Sequence, residues 1–345
     1  MIKVGIITKP RIIVKDLFSN SDNEVKRGNK FSFIDLFAGI GGIRVGFEEV
    51  GGECVFTSEW DQHAQKTYQA NFGEIPYGDI TKILPEEIPN FDMLLAGFPC
   101  QPFSQAGLKK GFEDTRGTLF FDITRIIKYH NPSVVFLENV RNLAGHDHGN
   151  TLEVIKGTLE NLGYNVFVEV LNAKDFGVPQ NRARIYIIGF KDKVDFKFPK
   201  PSKKFTKVWD ILDKNVDSKY TISDKLWAGH QRRKKEHREK GNGFGYSLFD
   251  ETSEYTSTMS ARYYKDGSEI LIKQESQNPR KITPREASRL QGFPKDFKIP
   301  VSDTQAYRQF GNSVAVPVIK ALAHRIVETL ENFALSNLGD NYEKK

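Results

Sequence analysis

Gly97–Ser104 reads GFPCQPFS and follows the apolar run FDMLLAG. Cys100 therefore stands at the carboxyl end of an expected strand, in a turn stiffened by Pro99 and Pro102, at the rim where α/β proteins bind ligands. A lone cysteine is commonly buried and inert, but a loop position favours a nucleophile, provided something stabilises the thiolate. Glu138 closes the next apolar run, VVFLENV, and brings a carboxyl group to the same expected edge, where it could donate or accept a proton on a ring nitrogen. Arg182 and Arg184, in QNRARIY at the start of a further strand, add fixed positive charge. A thiol, a carboxyl group and two arginines on one rim suit the activation of an electron-poor ring by thiolate addition, followed by group transfer to the adjacent carbon.

A glycine loop supplies a second candidate site. Phe31–Gly42 reads FSFIDLFAGIGG, a strand run that empties into glycines before the helical stretch Ile43–Val50. Glycines let the backbone turn sharply and approach a ligand at the end of the first strand, although a tight strand-to-helix link without a ligand would read the same way. The order Gly39, Ile40, Gly41, Gly42, Ile43, Arg44 does not make G-x-G-x-x-G, which counts against a dinucleotide. Glu59 ends the second strand, where a nucleoside-binding fold places an acid for the ribose hydroxyls. Trp60 beside it could lie against an adenine or belong to the core, and Asp79, in GDI, falls where an adenine amino group could be bound. Singly, each acid is equally a cap or a surface charge; in this order they point to an adenosine compound.

The elements that must position these groups alternate. From Phe31 to about Pro199 apolar runs at 31–37, 54–58, 91–96, 133–138, 165–171 and 184–190 read as strands, with helices at Asp61–Phe72, Thr118–His130 and Asn150–Leu162. That rhythm specifies an α/β protein with a mostly parallel sheet. Asp61 and Thr118 are expected N-caps and Gly163 a helix-ending left-handed residue. Gln105–Gly117, with three glycines and mixed charges, reads as a mobile lid. Residues 201–280 lose the rhythm and form a second, irregular domain; residues 281–345 return to the first, through the apolar stripe Val314, Val318, Leu322, Ile326 and Leu330. Residues 1–30 are a polar-ended N-terminal extension, and 31–200 the catalytic domain.

The net charge of +6 is unevenly placed: Pro201–Pro300 carries 21 basic and 14 acidic residues, so that segment exceeds the whole chain's surplus and suggests a polyanion-facing surface. Two cysteines, Cys54 and Cys100, exclude a disulfide framework and a multi-cysteine metal site. No run is long enough for a membrane span, and Lys3, Lys9 and Pro10 interrupt any signal-peptide core. A soluble, cytoplasmic protein without metal is expected.

The blocks DLFAGIGG, SEW, GDI, GFPCQPFS, FLENV, QNRARIY, RKITPREASRLQGFP and QFGNSVAVPV, in this order, resemble those of the DNA (cytosine-5)-methyltransferases, closest to the bacterial Dcm-like subgroup, over roughly Phe31 to Phe333. The resemblance implies a Rossmann-like S-adenosylmethionine-dependent methyltransferase domain with a smaller, irregular target-recognition domain. It implies that Phe37, Gly39, Gly41, Glu59, Trp60, Asp79, Ile80, Pro99, Leu119, Asn312, Ser313 and Val314 surround S-adenosylmethionine. Cys100 would be the nucleophile, Glu138 would hold the cytosine N3 and amino edge, and Arg184 would orient the base, with Arg182 nearby. The target base would be flipped out of the duplex, the lid closing over it.

Under that resemblance the partner is double-stranded DNA. QRRKKEHREK places six Lys or Arg residues in ten, and Arg232, Arg233, Lys234 and Lys235 would meet phosphates, although a solvated helix would carry the same run. GNGFGY at 241–246 and SARYYKDGSEI at 260–270 suggest close approach to DNA, with Arg262 or Lys265 reading guanine edges. Gln101, Ser104 and Arg116, on the cysteine loop and lid, complete the candidate DNA contacts. Both recognition blocks resemble those of enzymes acting on CCWGG, CCNGG or CCGG, which implies a palindrome starting with CC. Thr258-Met259 departs from the Thr-Leu of many relatives. A monomer with a cognate restriction endonuclease acting on the same site is expected. The competing readings are transfer-RNA cytosine methylation by the same core, a binder that has lost catalysis, and a dinucleotide oxidoreductase.

Overall fold

The computed structural model describes residues 31–99, 119–202 and 205–342. Six strands, β1 (Phe31–Leu36), β2 (Gly52–Ser58), β3 (Met93–Gly97), β4 (Val134–Val140), β5 (Asn165–Asn172) and β6 (Ala183–Phe190), form one sheet in the order β2-β1-β3-β4-β6-β5. The first four are parallel, and β6 runs antiparallel to both β4 and β5. Successive residues of a strand face opposite sides of the sheet, and the central strands are apolar on both. Met93, Leu95, Val134 and Phe136 join one hydrophobic cluster, while Leu94, Ala96, Val135 and Leu137 join another. That is why these runs are continuous rather than alternating.

Helices α1 (Gly42–Glu48), α2 (Gln62–Phe72), α3 (Leu119–His130) and α4 (Asn150–Asn161) link the parallel strands. The Asp61 carboxylate caps α2 by accepting from the amides of His63 (2.8 Å) and Ala64 (3.2 Å), and Gly73 ends it in the left-handed region. One face of the sheet is covered by α1 and the C-terminal helix α8 (Val316–Tyr342); the other is covered by α3 and α4. Gly46 allows α1 to approach α8 closely, since a Cβ there would sit 2.9 Å from that of Ile319.

Beyond residue 205 the chain is less irregular than its sequence suggests. Helix α5 (Asp224–Glu239), capped by Ser223, carries the basic run up to its C-cap Lys240, and His230 is its one buried residue. A helix that is polar nearly all round leaves no apolar period to detect. Strands β7 (Leu248–Phe249), β8 (Leu271–Ile272) and β9 (Arg280–Lys281) make a second small sheet, followed by α6 (Pro284–Leu290) and α7 (Asp303–Asn312). A third hydrophobic cluster joins Met259, Tyr263, Ile270 and Ile272 of this region to Ile40 and Ala64 of the first. No helix among the described residues is long and apolar enough to cross a membrane.

Beneath the glycine loop lies a buried polar cluster. Arg44 donates to the Tyr68 hydroxyl (2.7 Å) and Glu48 (2.6 Å), and also to Glu74. Asp35, on β1, is fully buried and its carboxyl oxygens have no hydrogen-bond partner among the described residues. Burial pushes its carboxyl up to about 8, against the pull of Arg44. The folded chain therefore holds a proton on Asp35 that the unfolded chain releases near pH 4, so this group's contribution to stability falls as pH rises from about 4 towards 8, by at most about 1.4 kcal/mol per pH unit. Asp35→Asn removes that dependence: in urea denaturation the wild-type-minus-variant stability should decline steadily between pH 5 and 8, and a flat difference would show that Asp35 is ionised in the fold.

Candidate active site

The parallel strands deliver their carboxyl ends to one rim. Glu138, near the end of β4, pairs in register with Gly97 at the end of β3, which is followed by Phe98 and Pro99. Because β6 runs the other way, its first residues arrive at the same rim, with Arg184 opposite Val140. Arg184 Nε lies 3.2 Å from Glu138 Oε1, and both side chains are almost wholly shielded from solvent. Burial pushes the Glu138 carboxyl up, while Arg184 and then Arg182 pull it back. A carboxyl group held between these influences can share a proton with a ring nitrogen.

Asn139, next along β4, turns its side chain to the cysteine loop: Nδ2 donates to the Phe98 carbonyl at 2.8 Å, while Oδ1 accepts from the amide of Val140. It anchors the last described residues before Cys100. Cys100 itself, with Gln101, Ser104, Arg116 and the rest of the expected lid, lies outside the described residues, as does the extension 1–30. Cys54 is no rival nucleophile, since burial and the nearby Asp35 push its thiol up to about 12.

Arg182 is directed differently from Arg184. Its guanidinium is buried and donates through Nη1 to the Met259 carbonyl (3.0 Å) and through Nη2 to the carbonyls of Gly311 (3.0 Å) and Ser313. Burial and the charge of Arg184 pull it down to about 9, which leaves it a cation at neutral pH.

At the other end of the rim, Phe37, Gly39 and Gly41 all have positive φ (58°, 57° and 83°), so the loop after β1 is wound in a way that favours glycine. The Glu59 carboxylate accepts from the amides of Gly39 (2.8 Å) and Asp61 (2.7 Å), tying the end of β2 to that loop. A Cβ on Gly39 would meet open space, and Trp60, next to Glu59 in sequence, is 79% exposed. An uncovered indole, a shielded acid and an open glycine turn fit an adenosine group. Asp79 caps the turn that begins at Ile80, accepting from the amide and hydroxyl of Thr81, and Ile80 is buried. Leu119 opens α3 and Pro99 is exposed. From the far end of the chain, Ser313 and Val314 reach the same loop: a Cβ on Gly42 would lie 2.8 Å from Val314 Cγ2 and 2.9 Å from the Ser313 hydroxyl, while Asn312 beside them is exposed.

In the second region the candidate contacts divide. Arg233 pairs with Asp266 (3.2 Å) and donates to His230 Nδ1 (2.8 Å), and Lys234 lies 4.2 Å from the centroid of the Tyr246 ring. Arg232 faces Glu236 at 3.5 Å, and Lys235 is exposed. Arg262 and Lys265 are exposed on a turn fixed from behind by Tyr263, whose buried hydroxyl donates to the Ile270 carbonyl (2.7 Å) and accepts from the amide of Ile282 (2.9 Å). Sequence reasoning missed Asn139 at the rim, and Gln180, Gln291 and Gly311 where the two regions of the chain meet. For Asn139, Gln180 and Gln291 the available signal was an amide side chain beside an apolar residue, which does not reveal its partner.

Comparisons with known proteins place this geometry. The family model for C-5 cytosine-specific DNA methylases matches residues 31–328. The chain is 63% identical over 321 residues to the Type II methyltransferase M.SsoII of Shigella sonnei, covering 91% of this chain and 83% of that one. It is 48% identical to the Type II methyltransferase M.HpaII of Haemophilus parainfluenzae, over 92% and 94% of the two chains. Among solved structures, the S. pombe Dnmt2 methyltransferase shares the fold, with a TM-score of 0.72 at 20% identity over 87% of this chain and 99% of that one.

Asn139→Ala would leave the Phe98 carbonyl without its donor in a buried setting. The variant should lose about 1–3 kcal/mol of stability in urea denaturation; an unchanged midpoint would mean that this bond does not hold the segment after β3.

Proposed function

Because the chain belongs to the C-5 cytosine-specific DNA methylase family, and is thereby a DNA cytosine-5-methyltransferase that uses S-adenosylmethionine, we propose that it modifies one flipped-out cytosine of a palindrome beginning with CC. The observation that carries the mechanism is the shielded Glu138–Arg184 pair at the carboxyl ends of the strands. Cytosine C5 is a poor nucleophile until the ring is activated. Cys100 adds through its sulfur to C6, while Glu138 donates a proton or hydrogen bond to N3, so that C5 gains enamine character. Arg184 holds the Glu138 carboxylate and the base in register. Phe37, Gly39, Gly41, Glu59, Trp60, Asp79, Ile80, Pro99, Leu119 and residues 312–314 would hold S-adenosylmethionine, whose sulfonium would supply an electrophilic methyl group to C5 and leave as a neutral thioether. Release of the C5 proton to solvent, with return of the C6–sulfur bonding electrons to Cys100, then restores the aromatic ring and frees the sulfur.

A stacked duplex would not admit these groups, so the base must leave the helix, at a cost of a few kcal/mol offset by contacts elsewhere. The basic helix α5 meets phosphates through Arg232, Arg233, Lys234 and Lys235, while Arg262 and Lys265, with Gln101, Ser104 and Arg116 of the cysteine loop and lid, contact the site itself. The Type II methyltransferases among the relatives support a role beside a restriction endonuclease acting on the same sequence. We read the enzyme as a cytoplasmic monomer.

The direct test is bisulfite sequencing of a mixed-sequence plasmid after incubation with protein and S-adenosylmethionine. Methylation confined to one palindrome starting with CC is expected, and no 5-methylcytosine in a cofactor-binding preparation would overturn the reading. Cys100→Ser should bind cofactor and DNA but lose turnover, and Glu138→Gln should lower kcat by about 10²–10⁴-fold; wild-type rates from either would remove that residue from the mechanism. Replacing Arg232, Arg233, Lys234 and Lys235 together by Ala should flatten the dependence of log K on log salt by about 0.9 for each phosphate no longer neutralised. An unchanged slope in a filter-binding titration would make α5 a merely solvated helix.

A further inference from the structure

Both hydrogen-bonding groups of one main-chain residue, Met259, are held by side chains from the entrance to β6. Its amide donates to Gln180 Oε1 at 3.0 Å, and its carbonyl accepts from Arg182 Nη1 at 3.0 Å. Each of these side chains then passes on to the cofactor end of the chain. Arg182 Nη2 donates to the carbonyls of Gly311 and Ser313. Gln180 Nε2 donates to Gln291 Oε1 at 3.2 Å, and Gln291 Nε2 in turn donates to the Phe310 carbonyl at 2.7 Å. Gln180, Arg182 and Gln291 are no more than 2% exposed, so water does not compete for these bonds.

A separate observation points the same way. A Cβ on Gly311 would run into the Ser260 carbonyl and the Ala261 amide, so the recognition segment rests directly on the backbone at Gly311, where α7 gives way to the turn 313–314. That turn meets the glycine loop through Ser313 and Val314. Two residues beyond Arg182, Arg184 holds Glu138. Arg182 is also a costly way to fill a core: it is a buried cation whose Nε has no partner among the described residues, and the neighbouring carboxylate, Glu138, is already paired with Arg184. Hydrophobic residues would stabilise a plain domain contact at least as well.

We propose that Arg182 is a positioning residue that locks the recognition segment Thr258–Ala261 to the cofactor turn Gly311–Val314, so that binding of the correct DNA site and binding of cofactor strengthen each other. This inference rests on the DNA-methylating reading above, with Arg182 acting through backbone groups rather than on the base. Linkage makes the coupling reciprocal, with a typical magnitude of about 5–150-fold.

The test is calorimetric titration of the whole protein with S-adenosylhomocysteine, alone and with either of two duplexes. One duplex carries CCGG, CCAGG and CCCGG sites, and the other carries no CC step. In the wild type the site-bearing duplex should tighten S-adenosylhomocysteine binding at least about fivefold, and the other duplex should not. Arg182→Lys, which keeps the charge but cannot span three carbonyls, should bring the ratio within about twofold of unity. A purely structural role would instead lower the melting temperature and leave the ratio unchanged. Arg184→Lys, altered at the base pocket, should lose turnover and keep the coupling. If Arg182→Lys does not fold, Gly311→Ala, which must push Ser260 away, should lose the coupling in its place. The proposal is overturned if the wild type shows no coupling, or if the folded variant keeps the wild-type ratio. Failure of the underlying reading would look different, because the wild type would then methylate neither duplex.

Discussion

The direction of β6 is the constraint on which the rim depends. A strand parallel to β4 would begin at the opposite edge of the sheet and carry its first residues away from Glu138. Running antiparallel, β6 brings Arg184 across from Val140 and within 3.2 Å of the Glu138 carboxylate. It also feeds Gln180 and Arg182 into the junction between the two regions of the chain. Pairing and burial oppose each other there: shielding raises the carboxyl and the arginine restrains it, leaving a group that can work on either side of a proton transfer.

Much of this was legible in the sequence because parallel strands buried on both faces must be apolar throughout. VVFLENV and FDMLLAG mark both the strands and their ends, and the ends are where chemistry sits. Asp61 and Gly163 were legible for local reasons, as a cap and a left-handed residue. The direction of β6 was not, because RIYIIGF has the same apolar pattern whichever way it lies, and only long-range pairing decides. Helix α5 could be read only from its charges, because a helix with one buried residue, His230, leaves no apolar stripe. Gln180 and its partner Gln291 lie more than a hundred residues apart in sequence, and no spacing rule reaches that far.

The two regions do not meet as separate bodies with a greasy seam alone. A hydrophobic cluster shared by Ile40, Met259, Tyr263 and Phe310 supplies non-directional adhesion, and the buried amides and guanidinium fix its orientation. Adhesion of the first kind tolerates sliding, whereas hydrogen bonds to named carbonyls do not. A rim assembled from residues between 37 and 314 needs the second kind, since small displacements of a catalytic group carry large costs in rate.

Tyr263 fixes its turn from behind, through a hydroxyl that accepts from Ile282 and donates to Ile270, while Arg262 and Lys265 stand exposed on the outer side. The scaffold and the exposed side chains are thereby decoupled. Substitutions on the outer side can change what the turn meets without disturbing what holds it, so a lineage of such proteins can drift in preference while inheriting the same frame.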